Sequence, residues 1–62
     1  MMFIEVTTKF GKYVVNVNNI LFFYRSKRGA TIELADGTTF DVEEKYDDIC
    51  RIFSSKNLLF QL

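Results

Sequence analysis

The chain opens on alternation. From Phe3 to Thr8, apolar and polar positions take turns and β-branched residues are frequent, which predicts a strand with Ile4 and Val6 on one face and Phe3, Glu5 and Thr7 on the other. Lys9-Phe10-Gly11-Lys12 reads as the turn. Tyr13 to Val17 alternates again, with Tyr13, Val15 and Val17 on one face and Val14 and Asn16 opposite. A turn of even length pairs Val6 with Val15 and Ile4 with Val17, so both strands offer their apolar sets to one side. Asn18-Asn19 then suits a two-residue hairpin, because asparagine tolerates the positive φ such a loop requires.

Ile20-Leu21-Phe22-Phe23-Tyr24 is the longest unbroken apolar run. Five large side chains in succession suit a strand covered on both faces. Extending the register through the Asn hairpin places Ile20, Phe22 and Tyr24 on the inner face and turns Leu21 and Phe23 to the back. Arg25 to Gly29 is a polar connection, and Ala30 to Leu34 is a fourth strand with Ile32 and Leu34 inward. At Ala35-Asp36-Gly37, apolar parity selects the loop length. A two-residue loop would set Glu33 against Phe40 and Ile32 against Asp41; a three-residue loop closed by Gly37 at positive φ pairs Ile32 with Phe40 and Ala30 with Val42.

Beyond Val42 the period changes to that of a helix, with Tyr46, Ile49 and Phe53 on one stripe beside Cys50. The predicted helix runs from Val42 to Ser54 or Ser55, with Asp41 as N-cap and Glu43, Glu44, Asp47 and Asp48 compensating the dipole of its first turns. Leu58 to Leu62 is too apolar for a free tail and is expected to dock, as helix extension or as added strand. The whole is an α+β domain spanning residues 1–62, a curled antiparallel β-meander of four to five strands with one C-terminal α-helix packed on it.

Length changes the picture. At 62 residues the chain stands near the lower limit of independent folding. One cysteine and no histidine leave neither an internal disulfide nor a Cys/His zinc site, so oligomerisation is the remaining staple. The start reaches Glu5 before a signal-peptide core can build, and no run approaches a membrane span, so a cytoplasmic location without membrane attachment is expected.

Charge is segregated although it sums to zero. Between Val6 and Ile32 the only ionisable acids or bases are Lys9, Lys12, Arg25, Lys27 and Arg28; from Glu33 onward seven acids face three bases.

Chemistry is sparse. The four acids of the predicted helix form like-charge pairs on an exposed face with no histidine or cysteine to complete a metal site. Cys50 lacks a base and lies beside the buried stripe. The three glycines sit in separate turns and form no phosphate loop. Hence no enzyme, no cofactor, no metal and no small-molecule substrate are expected.

Two binding readings remain. Phe3, Val14, Leu21 and Phe23 on the back of the sheet would form an apolar patch large enough to imply a homo-oligomer or another protein partner. Lys9, Lys12, Arg25, Lys27 and Arg28, interleaved with aromatics, offer the alternative of a small nucleic-acid-binding regulator, against which the pI of about 6.1 weighs.

Gly11-Lys12, Asn16 with Ile20, the segment Ala30-Thr31-Ile32-Glu33-Leu34-Ala35-Asp36-Gly37, and Val42 with Glu44 follow one another in an order that resembles the small flagellar and swarming-motility proteins of the FlbD/SwrD type. The likeness spans nearly the whole chain and rests on turn and core positions. It therefore implies a fold rather than a role. Where that family tends to carry acids on the third strand, this chain has Phe22-Phe23-Tyr24. A weaker likeness is to half of a LytTR-type DNA-binding domain.

Overall fold

The computed structural model describes residues 2–62. Strands β1 (Phe3–Thr8) and β2 (Gly11–Asn16) form one antiparallel pair; β3 (Ile20–Arg25), β4 (Ala30–Leu34) and β5 (Thr39–Val42) form a three-stranded sheet in that order; helix α1 (Tyr46–Ser55) follows and packs on β3. The α+β class is as the sequence predicts. The meander, however, is divided into two sheets.

The division falls at Asn18-Asn19. Neither residue adopts positive φ, and Val17–Asn19 instead makes a short 3-10 turn. The Asn16 side chain is the cause: its carbonyl accepts from the Asn18 N–H at 3.0 Å, and the competing local bond caps the turn that replaces the hairpin. The expected pairings of Val17 with Ile20 and Val15 with Phe22 are therefore absent.

Within the first pair the register differs by two residues from that predicted, with Ile4 opposite Val15 and Val6 opposite Tyr13. Thr8 sets it. Its hydroxyl donates to the Gly11 carbonyl and accepts from the Phe10 N–H, closing a loop of only Lys9 and Phe10. A shift of two keeps parity, so Val6 and Val15 still enter the core.

The Ala35–Gly37 loop is as predicted: Ala30 faces Val42, Ile32 faces Phe40, and Gly37 has φ of 93°. Asp36 fixes the turn by accepting from the Thr38 N–H at 2.9 Å, and this bond holds its carboxyl below the usual range.

One main-chain clasp joins the sheets, where the Glu43 N–H donates to the Thr7 carbonyl at 2.8 Å. The bond from the Ala35 N–H to the Asn19 carbonyl, also 2.8 Å, instead prolongs the β3–β4 ladder past Ile20 and Leu34. Val6, Val15, Ala30, Ile32 and Val42 fill the space between, closed by Ile49, Cys50 and Phe53 from the helix.

The helix begins later than predicted. Val42 completes β5, Asp41 lies within β5 and accepts from the Thr31 hydroxyl at 2.6 Å, and the N-cap is Lys45, whose side chain makes no capping bond. Thr39-Phe40-Asp41-Val42 keeps the period of two because Ala30 and Ile32 need Val42 and Phe40 opposite them. The helix ends in a Schellman turn, with Asn57 at φ of 59° and the Leu58 N–H bonded to the Phe53 carbonyl at 2.8 Å. Beyond it, Leu58–Leu62 is neither helix nor strand: Leu59 packs on the core, and Leu58, Phe60 and Leu62 are exposed.

Candidate interaction surface

Strand β3 departs most from the predicted arrangement. Ile20 lies opposite Leu34 and Phe23 opposite Ile32, so three steps on β3 match two on β4, and the extra residue is accommodated as a bulge at Leu21. The bulge inverts the parity. Phe23, expected on the back, turns inward against Phe53 and Tyr46 at ring-centroid distances of 5.5 and 5.6 Å. Phe22 and Tyr24, expected in the core, point outward with about half of their surface exposed, 6.1 Å apart. Leu21 is 60% exposed.

Alternation of the backbone then fixes what the open edge offers. Ser26 N–H donates to the Gly29 carbonyl, and Leu34 N–H donates to the Thr38 carbonyl on the far side of β4. With those two anchors, Phe22 and Tyr24 are the residues that bond to β4, and the N–H and C=O groups of Phe23 and Arg25 face away from it. Among the described residues no backbone group meets them. An apolar edge without proline, glycine or acid is thus left unpaired. β2 is also an edge, but Gly11, Lys12 and Asn16 blunt it.

A shallow groove of about 230 Å3 runs beside β3, lined by Leu21, Phe22, Leu58 and Leu59 among others. Arg25 closes the end of the strand. Its guanidinium lies 4.8 Å from the Tyr46 ring centre and 3.2 Å from the Asp47 carboxylate.

Of the four residues predicted for the apolar back, Phe3 and Val14 are exposed on the other sheet and line a separate cleft; Leu21 lies by the groove. Only Leu21 therefore joins the β3 strip. The basic residues are dispersed as well. Lys9 and Arg28 share a cleft of about 280 Å3 with Phe10, Tyr13 and Phe40, but Asp41 lines it too and Glu43 approaches Arg28 at 3.8 Å. Lys12 donates to the Thr7 hydroxyl at 3.0 Å, and Arg25 is held by Asp47.

Glu44 carries a part that its place in an acidic run conceals. One carboxylate oxygen accepts from the Thr7 N–H and the other from the Thr7 hydroxyl, both at 2.8 Å, pinning β1 to the segment after β5. Partial burial pushes its carboxyl up, but the two Thr7 donors outweigh this and hold it below its ordinary value. Asp48 pairs with Arg51 at 2.9 Å. Among the described residues no group of acids, cysteine or histidine is placed to hold a metal ion, and no helix is long and apolar enough to cross a membrane.

The missed residues left a signal. Counting back from Ile32 across the four-residue loop Ser26–Gly29 places Phe23 opposite Ile32, whereas counting forward from Val17 places it on the back. No family model, curated protein or solved structure matches the chain.

Proposed function

We propose that the protein is a non-enzymatic assembly module that binds another polypeptide along β3. The carrying observation is the open edge itself: unpaired backbone groups at Phe23 and Arg25, flanked by exposed Leu21, Phe22 and Tyr24. Strand addition to such an edge gains affinity from main-chain hydrogen bonds and specificity from alternate side chains. Nothing comparable supports a nucleic-acid face, since acids stand among the dispersed bases. The likeness to FlbD/SwrD-type proteins rests on turns and core and does not select a partner.

Amide hydrogen exchange at high dilution tests the reading. The amides of Phe23 and Arg25 should exchange nearly as free amides while those of Phe22 and Tyr24 are protected by β4. Protection of Phe23 and Arg25 in the isolated monomer would mean that the chain covers its own edge, and the reading would fail.

A further inference from the structure

Resting on that reading, we infer that the polypeptide received by β3 is the β3 of a second copy, paired antiparallel about a two-fold axis at Phe23. The backbone phase determines the register. Phe23 turns its N–H and C=O to the open edge, so two copies can exchange both bonds at this residue, and Leu21 then lies opposite the partner's Arg25. On the outer face this sets Phe22 across from the partner's Tyr24 and Tyr24 across from the partner's Phe22. Such aromatic cross-strand pairs are among the favourable ones in sheets.

Charge agrees with this orientation. β3 holds no acid, and its one base stands at its end. Antiparallel pairing carries the two Arg25 residues to opposite ends, roughly 14 Å apart along the strands at about 3.4 Å per residue. Parallel pairing would set them side by side. Arg25 already has Asp47, so the strip offers no unanswered charge with which to choose a charged foreign strand. Its chemistry is matched by its own sequence.

Apolar surface agrees as well. Leu21, Phe22 and Tyr24 on the strand and Leu58 in the groove beside it are each about half exposed. Pairing would remove from water the open half of each aromatic, out of the roughly 150–250 Å2 that such a side chain can bury. A chain of this length needs such burial more than a larger one does.

The test combines sedimentation equilibrium with cysteine pairing in a Cys50→Ser background. The inference expects a two-chain mass for the wild type, a monomer for Phe22→Lys with an unchanged circular dichroism spectrum, and disulfide formation when Phe22→Cys and Tyr24→Cys chains are mixed. Residues directly opposite at this non-hydrogen-bonded position stand about 4.5 Å apart, within disulfide reach. Either cysteine variant alone should cross-link at least tenfold more slowly, its two thiols being staggered by two residues.

A dimer in which the mixture is no faster than the single variants, and in which Phe23 and Arg25 amides exchange freely, overturns the inference. So does a wild type that stays monomeric at every concentration. In that monomer, free exchange at Phe23 and Arg25 would leave the strip open for a foreign strand, whereas protection there would end the assembly reading itself.

Discussion

Gly29 is neither at positive φ nor free of neighbours. A Cβ there would meet the carbonyl oxygens of Val42 and Glu43 at 2.7 Å and that of Glu44 closer still, because the chain leaving β5 crosses directly over it. Main chain cannot swing aside as a side-chain end can. Gly29→Ala should therefore cost about 3 kcal/mol, the upper end of ordinary overpacking, read as a lower urea midpoint. Gly37→Ala, with open space around it but φ of 93°, should cost only about 1–2 kcal/mol. Equal losses would show that the crossing at Gly29 is looser than the structure has it.

Glu44 makes the acid side of stability. Its folded carboxyl titrates below the unfolded one, so the unfolded chain takes up the proton first as pH falls. The contribution is complete above the unfolded value of about 4.3 and disappears as pH drops through the folded value. Glu44→Gln should lose about 1 kcal/mol at neutral pH, given the group's exposure. Its urea midpoint should also fall less steeply than that of the wild type between neutral pH and pH 3. Parallel acid limbs would mean that the Thr7 clasp forms with either charge state.

Among the elements, those fixed by parity were legible and those fixed by a side chain competing with the backbone were not. Asp36-Gly37 had one loop length that kept charge out of the core, and β4 and β5 follow it. Thr8 and Asn16 each bond to a main-chain N–H within two residues, and such a bond outranks apolar patterning without leaving a trace in it. The inversion at Leu21 follows from the second of these: once Asn16 caps a 3-10 turn, β3 takes its register from β4 alone. The predicted site suffered most. Leu21 lies exposed at the β3 edge, Phe23 faces inward where the pattern predicts the back, and Phe22 and Tyr24 face outward where it predicts core.

The helix shows the opposite case, an element whose stripe was plain and whose start was not. Acids at Glu43 and Glu44 imitate a first turn, yet both are bonded to Thr7 in the bend that follows β5. The true N-cap, Lys45, provides no oxygen for the orphan N–H groups of the first turn. Lys45→Ser should then stabilise by about 1 kcal/mol, raising the melting temperature by about 4–8 °C for a domain of this size. Serine is the better choice than aspartate, which would add to Glu44, Asp47 and Asp48. An unchanged melting temperature would place the start of the helix elsewhere.

At the scale of the molecule, folding brings the basic half of the chain against the acidic half. Arg25 meets Asp47 and Arg28 meets Glu43, so charges segregated in sequence are mixed in space, and the field available to steer a polyanion is reduced. These pairs are exposed, and raising salt should lower stability by less than about 1 kcal/mol. The interface proposed at β3 should have a different dependence, because main-chain bonds and apolar contact would hold it. Sedimentation equilibrium from 0.05 to 1 M sodium chloride should show an association constant that holds or rises. A nucleic-acid complex would weaken steeply over the same range as counterions are displaced. Should dimerisation itself weaken tenfold or more, charged groups rather than Phe22, Tyr24 and the open edge would be joining the two copies.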